Sequence, residues 1–351
     1  MAQLFPLDTL SLKKWFIKNK RSFPWRKNCS PYAVWVSEIM LQQTKAAVVI
    51  PYFLKWMDHF PTIESLAKAN LETVIKLWEG LGYYSRARNL HAGAKLVMEK
   101  FAGKLPPLEK ELRQMKGLGP YTTSAILSFA FHQKKAAVDG NVLRVFSRYY
   151  QIKDDISKSP THKKITEILQ AQLPEQEPWI VNEALIELGA TVCRPAPNCS
   201  VCPLASSCLS FQYHTTQQFP YKSKKVAVTR QFRAVALLSY DNQFFAIKGA
   251  PGKVMADLYE FPSIEISDSS KELEMLFKFL KETYQLTPIF KCILKSVCHS
   301  YTRYKDSLTP YLFSLDQLGA TDKGQWRSLP ELKSLPFSSG HRQILDQLMQ
   351  L

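Results

Sequence analysis

Apolar residues recur at helical spacing almost from the start of the chain. Residues 10–20 read as a short amphipathic helix, and over 32–44 Val34, Val36, Ile39, Met40 and Leu41 give a second helix a buried face. The period persists through 52–59, 63–68, 71–79, 84–98 and 108–115, separated by short polar breaks, and resumes over 122–132, 161–172 and 181–190. No strand pattern occurs before residue 212, which predicts an all-helical first half. Beyond Arg233 the period shortens: 235–239 and 243–247 flank Asp241-Asn242, a hairpin signal, and 289–294, 296–303 and 309–315 also read as strands. Residues 273–283 form one helix among them, with apolar positions 276, 277 and 280. The switch predicts a helical domain over 1–212, a polar and basic linker over 213–230, and an α+β domain over 231–351.

Composition narrows the class. A chain of 351 residues that is 46% apolar can bury two or three cores, and disorder is not expected. Forty-six basic against thirty acidic side chains leave +16, which attracts a polyanion and makes its binding salt-sensitive. Up to residue 212 there are 28 basic and 17 acidic side chains, a net +11 against +5 for the rest, so the helical half carries most of that attraction. No apolar run reaches the roughly 20 residues of a membrane span. Asp8, Lys13 and Lys14 interrupt the apolar core a leader would need, so a cytoplasmic, membrane-free protein is expected.

Several stretches carry candidate chemistry. In Gly117-Leu118-Gly119-Pro120 the glycines allow a tight turn and the proline opens the next helix, whose free N–H groups would hold phosphate without reading bases. Asp139 sits at a helix start, either as an N-cap alone or as a reactive acid. Glu38 is the one acid on an apolar helix; burial would raise its pKa and keep a proton available, while a helix-edge carboxylate is the plainer reading. Gln42-Gln43-Thr44 suits base edges or a helix end. In Gly80-Leu81-Gly82-Tyr83-Tyr84, an apolar side chain on a glycine loop could wedge into a base stack; Arg86, Arg88 and His91 behind it could meet phosphate or form a solvated face. Cys193, Cys199, Cys202 and Cys208 fall within sixteen residues, a metal-site pattern compatible with structural zinc or a [4Fe-4S] cluster. One CxxC with long flanking gaps favours the cluster. Cys29, Cys292 and Cys298 stand apart as thiols.

The order of glycine hairpin, aspartate-capped helix and four-cysteine loop resembles the helix-hairpin-helix DNA glycosylases of the endonuclease III superfamily. Within it, the Pro24-Trp25-Arg26 elbow, the segment 37–44, the loop 80–84 and the second domain are similar to the adenine glycosylases, the MutY type. The resemblance runs from about Asp8 to the end and is densest up to Cys208. It implies base-excision repair: excision of adenine mispaired with 8-oxoguanine or guanine in double-stranded DNA, by base flipping. It implies also a two-lobed helical domain with a [4Fe-4S] cluster, a Nudix-like domain that helps read 8-oxoguanine, and a nucleoid-associated monomer. Carried over by motif, Glu38 would protonate adenine N7 and Asp139 would face C1′, with Tyr121 and Asn141 completing the catalytic set. Trp25, Arg26 and Glu183 would line the adenine pocket. Gln43, Thr44, Leu81 and Tyr83 would fill the gap or touch the opposite base, Gly117 and Gly119 would meet the backbone, and Cys193, Cys199, Cys202 and Cys208 would ligate the cluster.

The chain departs from the family pattern in places. Tyr121 follows the glycine turn where endonuclease III has a lysine, so strand cleavage by β-elimination is not expected and the enzyme would be monofunctional. The first cysteine gap holds five residues in place of the family's six. The family's Phe-Ser-His, which contacts 8-oxoguanine, falls on Tyr301-Thr302-Arg303. The second domain lacks the clustered acids that would bind magnesium and is expected to bind without hydrolysing. Alternative readings are an endonuclease III-like pyrimidine glycosylase-lyase, a non-catalytic iron-sulfur DNA-binding protein, and a nucleotide hydrolase with a DNA-binding extension.

Overall fold

The computed structural model describes residues 5–27, 29–223, 229–250, 252, 254–266, 271–301, 304–317 and 322–351. It divides into two compact units, Met1–Lys68 with Asn89–Lys224, and Ala69–Arg88 with Lys225–Leu351. Hydrophobic period alone assigns residues 69–88 to the helical half; their packing partners lie in the second unit.

The chain up to residue 223 forms α1 (Thr9–Asn19), α2 (Pro24–Lys27), α3 (Pro31–Leu41), α4 (Ala46–His59), α5 (Ile63–Lys68), α6 (Leu71–Trp78), α7 (Ser85–Lys100), α8 (Glu109–Leu112), α9 (Pro120–Phe129), α10 (Gly140–Tyr149), α11 (Ser159–Gln172), α12 (Pro178–Thr191) and α13 (Leu209–Gln212). No strand occurs among its described residues, as the sequence predicts. Local chemistry sets many helix starts. Asp8 and Ser30 accept the Ser11 and Ala33 amides to cap α1 and α3, and prolines occupy the first turn of α3, α9, α11 and α12. Helix α4 starts six residues before the expected 52 and runs through Pro51. Burial of Val49, Phe53 and Trp56 on one face holds the helix despite the backbone bond the proline removes. One core of the first unit joins Leu12 and Phe16 of α1, Val142 and Phe146 of α10, Ile165 and Leu169 of α11, and Leu185 and Leu188 of α12.

The second unit is built on an eight-stranded sheet, β1 (Thr229–Tyr240), β2 (Gln243–Lys248), β3 (Tyr259–Glu260), β4 (Ser263–Glu265), β5 (Ile289–Ile293), β6 (Val297–Tyr301), β7 (Tyr304–Ser314) and β8 (Gln325–Ser328), with α14 (Glu272–Tyr284), α15 (Leu329–Ser334) and α16 (Ser339–Leu348). The order is β3-β2-β1-β7-β5, with β4 on β1, β6 on β7 and β8 on β2. Strands β1 and β7 run parallel from Thr229↔Tyr304 to Ser239↔Ser314. The β1–β2 hairpin turns on Asp241-Asn242 with φ of 44° and 60°, the left-handed pair its sequence predicts. Val235 and Leu237 pack toward α15 and α16, whereas Ala234, Ala236 and Leu238 pack toward α14, so β1 reads as an unbroken apolar run because both its faces are covered. The last two helices escaped the sequence reading; Ser328 and Glu331, a reciprocal capping box, were the signal for α15.

Candidate active site

A cleft of about 1090 Å³ in the first unit brings together side chains from α2, α3, α9, the Asp139 turn and α12. Glu38 projects from the apolar face of α3 and is 7% exposed. Burial pushes its pKa up to about 7, the Asp139 and Glu183 carboxylates add to the rise, and a hydrogen bond from Tyr121 opposes it. The Tyr121 hydroxyl, itself buried beside both acids, has its pKa held well above the ordinary phenol value and stays neutral as a donor. Asp139 caps α10: its Oδ1 accepts the Asn141 and Val142 amides at 2.9 and 2.8 Å, and its Oδ2 accepts Asn141 Nδ2 at 2.7 Å. The cap and the reactive-acid readings are therefore compatible, because these bonds hold the carboxyl while it lines the cleft. Burial raises its pKa too, but the three donors and Arg144 favour its anion, so within the pair Glu38 is the better proton holder.

Asn141 is fixed from behind. Arg144 Nη2 donates to Asn141 Oδ1 and to the Gly189 carbonyl, each at 2.8 Å, and its Nε donates to the Cys193 carbonyl at 2.7 Å. A Cβ on Gly189 would lie 2.5 Å from the Asn141 Cβ, so α12 packs against the Asp139–Asn141 turn only because this residue has no side chain. At the other wall, Trp25 is stacked on Phe23 with centroids 4.9 Å apart, and Arg26 lies over both Phe16 and Phe23. Arg26 pairs with Glu183 at 3.6 Å and with the buried Glu187 at 3.0 Å. Glu187, which also holds Arg21, was missed by sequence reasoning. Its signal lay in its position one helical turn after Glu183.

The other expected contacts divide. Gly117 takes φ of 88° against Asn89 and requires glycine, whereas Gly119 is extended, caps α9 and has open space around its Cα. Only the first glycine serves the turn; the second leaves the amides of α9 approachable. Gln43 is exposed with φ of 56°, Thr44 bonds the Gln42 carbonyl, and both line the cleft. In the second unit, Tyr83 is 43% exposed but Leu81 only 6%, so in this conformation Leu81 is packed and does not project as a wedge. Arg86 and His91 are buried, and Arg86 donates to the Leu81 and Gly82 carbonyls at 3.0 Å. Arg88 donates to the Ala256 carbonyl and Asp257. Arg86 thus braces the loop from within and Arg88 ties it to residues 256 and 257, in place of either the phosphate contact or the solvated face that the sequence offered. The loop, Gly252, Val254, Met255, His299, Ser300, Ser338 and Ser339 line a recess of about 650 Å³ within this unit. Thr302, Arg303 and the side chain of Tyr301 lie outside the described residues.

Cys193, Cys199, Cys202 and Cys208 are free thiols lining one small cavity of about 30 Å³ with Val145, Tyr149 and Leu204. Burial pushes Cys202 up to about 12 and raises Cys199 and Cys208, and the neighbouring cysteines add to each rise. Among the described residues no three such ligands close on one point. Four thiolates in one loop have the chemistry either of a structural zinc site or of a [4Fe-4S] cluster. The five-residue gap is braced by Arg148, which donates to the Arg194 and Pro195 carbonyls at 2.6 and 2.8 Å.

Residues 36–171 match the family described as HhH-GPD superfamily base excision DNA repair protein, and residues 233–347 match the NUDIX domain. An adenine DNA glycosylase of Buchnera aphidicola subsp. Schizaphis graminum is 30% identical over 313 residues, 89% of this chain and 88% of that one. The human adenine DNA glycosylase is 44% identical over 212 residues, 58% of this chain and 39% of that one. A thermostable thymine-DNA glycosylase structure superposes with a TM-score of 0.54 at 27% identity, covering 58% of this chain and 95% of its own. A glycosylase cleft with paired acids, a cysteine loop and a NUDIX-type second half thus agree with full-length similarity: the chain belongs to the adenine DNA glycosylase family.

Proposed function

We propose that the protein excises adenine mispaired with 8-oxoguanine or guanine in double-stranded DNA, as a monofunctional glycosylase. The observation that carries this is Glu38 and Asp139 lining one cleft, the first protonated near neutral pH and the second held by donors that favour its anion. The base must leave the stack to meet them. As the C1′–N9 bond breaks, its electron pair moves into the purine, N7 takes the Glu38 proton, and the Asp139 anion opposes the positive charge at C1′. Water then adds to C1′ and releases its proton to the Glu38 carboxylate. Tyr121 offers no amine for a Schiff base, which supports base removal without strand cleavage.

The four cysteines fit a [4Fe-4S] cluster, which when bound supplies a structural staple for residues 193–208. The recess beside Tyr83, His299 and Ser300 supports reading of the opposite base by the second domain. From the sequence alone, Thr302 is proposed to supply a hydroxyl contact to 8-oxoguanine; an unchanged preference over guanine in Thr302→Ala removes that role.

The test is a duplex with adenine opposite 8-oxoguanine, incubated with excess protein and resolved before and after alkali. Strand breaks are expected only after alkali. Absence of alkali-labile sites overturns adenine excision, and breaks without alkali at the rate of base loss overturn the monofunctional reading.

A further inference from the structure

The second unit contains an ion pair that no step of base excision uses. Glu79 caps the C-terminus of α6, immediately before Gly80, where the exposed glycine loop begins. Its carboxylate accepts Arg342 Nε at 2.6 Å and Nη2 at 3.3 Å, and the Phe337 amide at 3.1 Å. Both partners are mostly shielded, with side chains 14% and 17% exposed. The Arg342 guanidinium lies over the Phe337 ring and also donates to the Leu335 carbonyl. Lys76 completes the knot through Glu79 and the Lys333 and Leu335 carbonyls.

What this knot joins gives it a role. The groups Glu79 grips, the Phe337 amide and the Arg342 side chain, bracket Ser338 and Ser339, which form part of one wall of the recess. The residue after Glu79, Gly80, begins a second lining segment, which continues to Ser85. That segment is tied separately by Arg88 to the Ala256 carbonyl and Asp257, next in the chain to the lining residues Val254 and Met255. One carboxylate therefore joins two of the segments that line the recess. The turn it anchors is deformable by itself, since Gly80 and Gly82 both take positive φ, 100° and 72°.

We infer that Glu79 is a positioning residue: with Arg342 it fixes the width of the recess and thereby sets how sharply the protein discriminates the base opposite the excised adenine. The inference rests on the proposed function, and makes no claim on the glycosidic chemistry, because neither residue lines the cleft of Glu38 and Asp139. Glu79→Gln keeps the shape and an acceptor for the Phe337 amide but removes the charge that holds Arg342.

The test compares wild type, Glu79→Gln, Arg342→Gln and the double variant. Two quantities are read: the single-turnover excision rate at saturating protein for adenine opposite 8-oxoguanine and opposite guanine, and Kd for the same duplexes carrying a non-hydrolysable adenosine. The preference for 8-oxoguanine is expected to fall about tenfold in each single variant, the size of one lost charge-assisted hydrogen bond. The double variant should be no worse than either single one, since both remove the same bond. A merely structural role would lower melting temperature and both excision rates together while leaving their ratio unchanged, and an unchanged ratio in folded Glu79→Gln overturns the inference. Additive losses overturn it as well. Should Glu79→Gln fail to fold, Arg342→Gln reads the bond from its other side. If wild type excises no adenine but its Kd still separates the two duplexes, the proposed function falls while the positioning role is decided by the Kd ratio.

Discussion

Replacing Glu38 by glutamine separates stability from activity in a way the cleft makes quantitative. Burial lifts this carboxyl from an ordinary 4.5 to about 7. At ~1.4 kcal/mol per pKa unit, the ionised side chain weighs on the folded state by about 3 kcal/mol. Below pH 4.5 folded and unfolded chains both bind the proton and there is no penalty. Between 4.5 and about 7 the unfolded chain releases it while the native protein retains it, so native stability falls as pH rises; above about 7 the loss is complete. Glutamine is nearly isosteric and has no proton to lose. Glu38→Gln should therefore be within ~1 kcal/mol of wild type at pH 5 and about 3 kcal/mol more stable at pH 8, read by calorimetry at the two pH values. Its excision of adenine should be lost at both, and the wild-type single-turnover rate should decline as pH passes about 7, toward tenfold per unit. Equal stabilisation at pH 5 and pH 8, or a wild-type rate that stays flat above pH 8, would refute the protonated-acid reasoning.

Three further outcomes follow from the same geometry. Tyr121→Phe removes the hydroxyl whose hydrogen bond lowers the Glu38 pKa, so the alkaline limb of the rate profile should move to higher pH; a shift downward contradicts the assignment. Gly189→Ala places a methyl 2.5 Å from the Asn141 Cβ and 3.0 Å from its Cα, and should destabilise by about 1–3 kcal/mol while displacing Asn141 from Asp139. Excision in that variant should drop at least tenfold at a temperature where it remains folded, and undiminished excision would show that Asn141 need not hold the acid. Cys202→Ser should abolish the visible absorption of a bound cluster and expose residues 193–208 to proteolysis; an unchanged spectrum and digestion pattern would remove Cys202 from the ligand set.

Much of this protein was legible along the chain because its signals are local. The Asp139 cap, the proline opening α9, the Asp241-Asn242 turn and the four-cysteine loop each depend on neighbours within a few residues, so short-range pattern specifies them. Long-range placement overrode pattern elsewhere. Leu81 has the composition of a wedge but is packed; Arg86 and Arg88 look like phosphate ligands yet hold carbonyls; Pro51 suggests a break where a buried face carries the helix onward.

The sequence by itself determined an all-helical half followed by an α+β half, and which residue types stand at the turns, caps and cysteine positions, because these follow from periodicity and backbone chemistry. The tertiary structure alone decided that Glu38, Tyr121 and Asp139 share one cleft, since three segments distant along the chain must pack together to bury the Glu38 carboxyl and raise its pKa to about 7. It alone decided too that residues 69–88 join the second unit, for the charges that bind them, Arg342, Lys248 and Asp257, are more than 160 residues away along the chain.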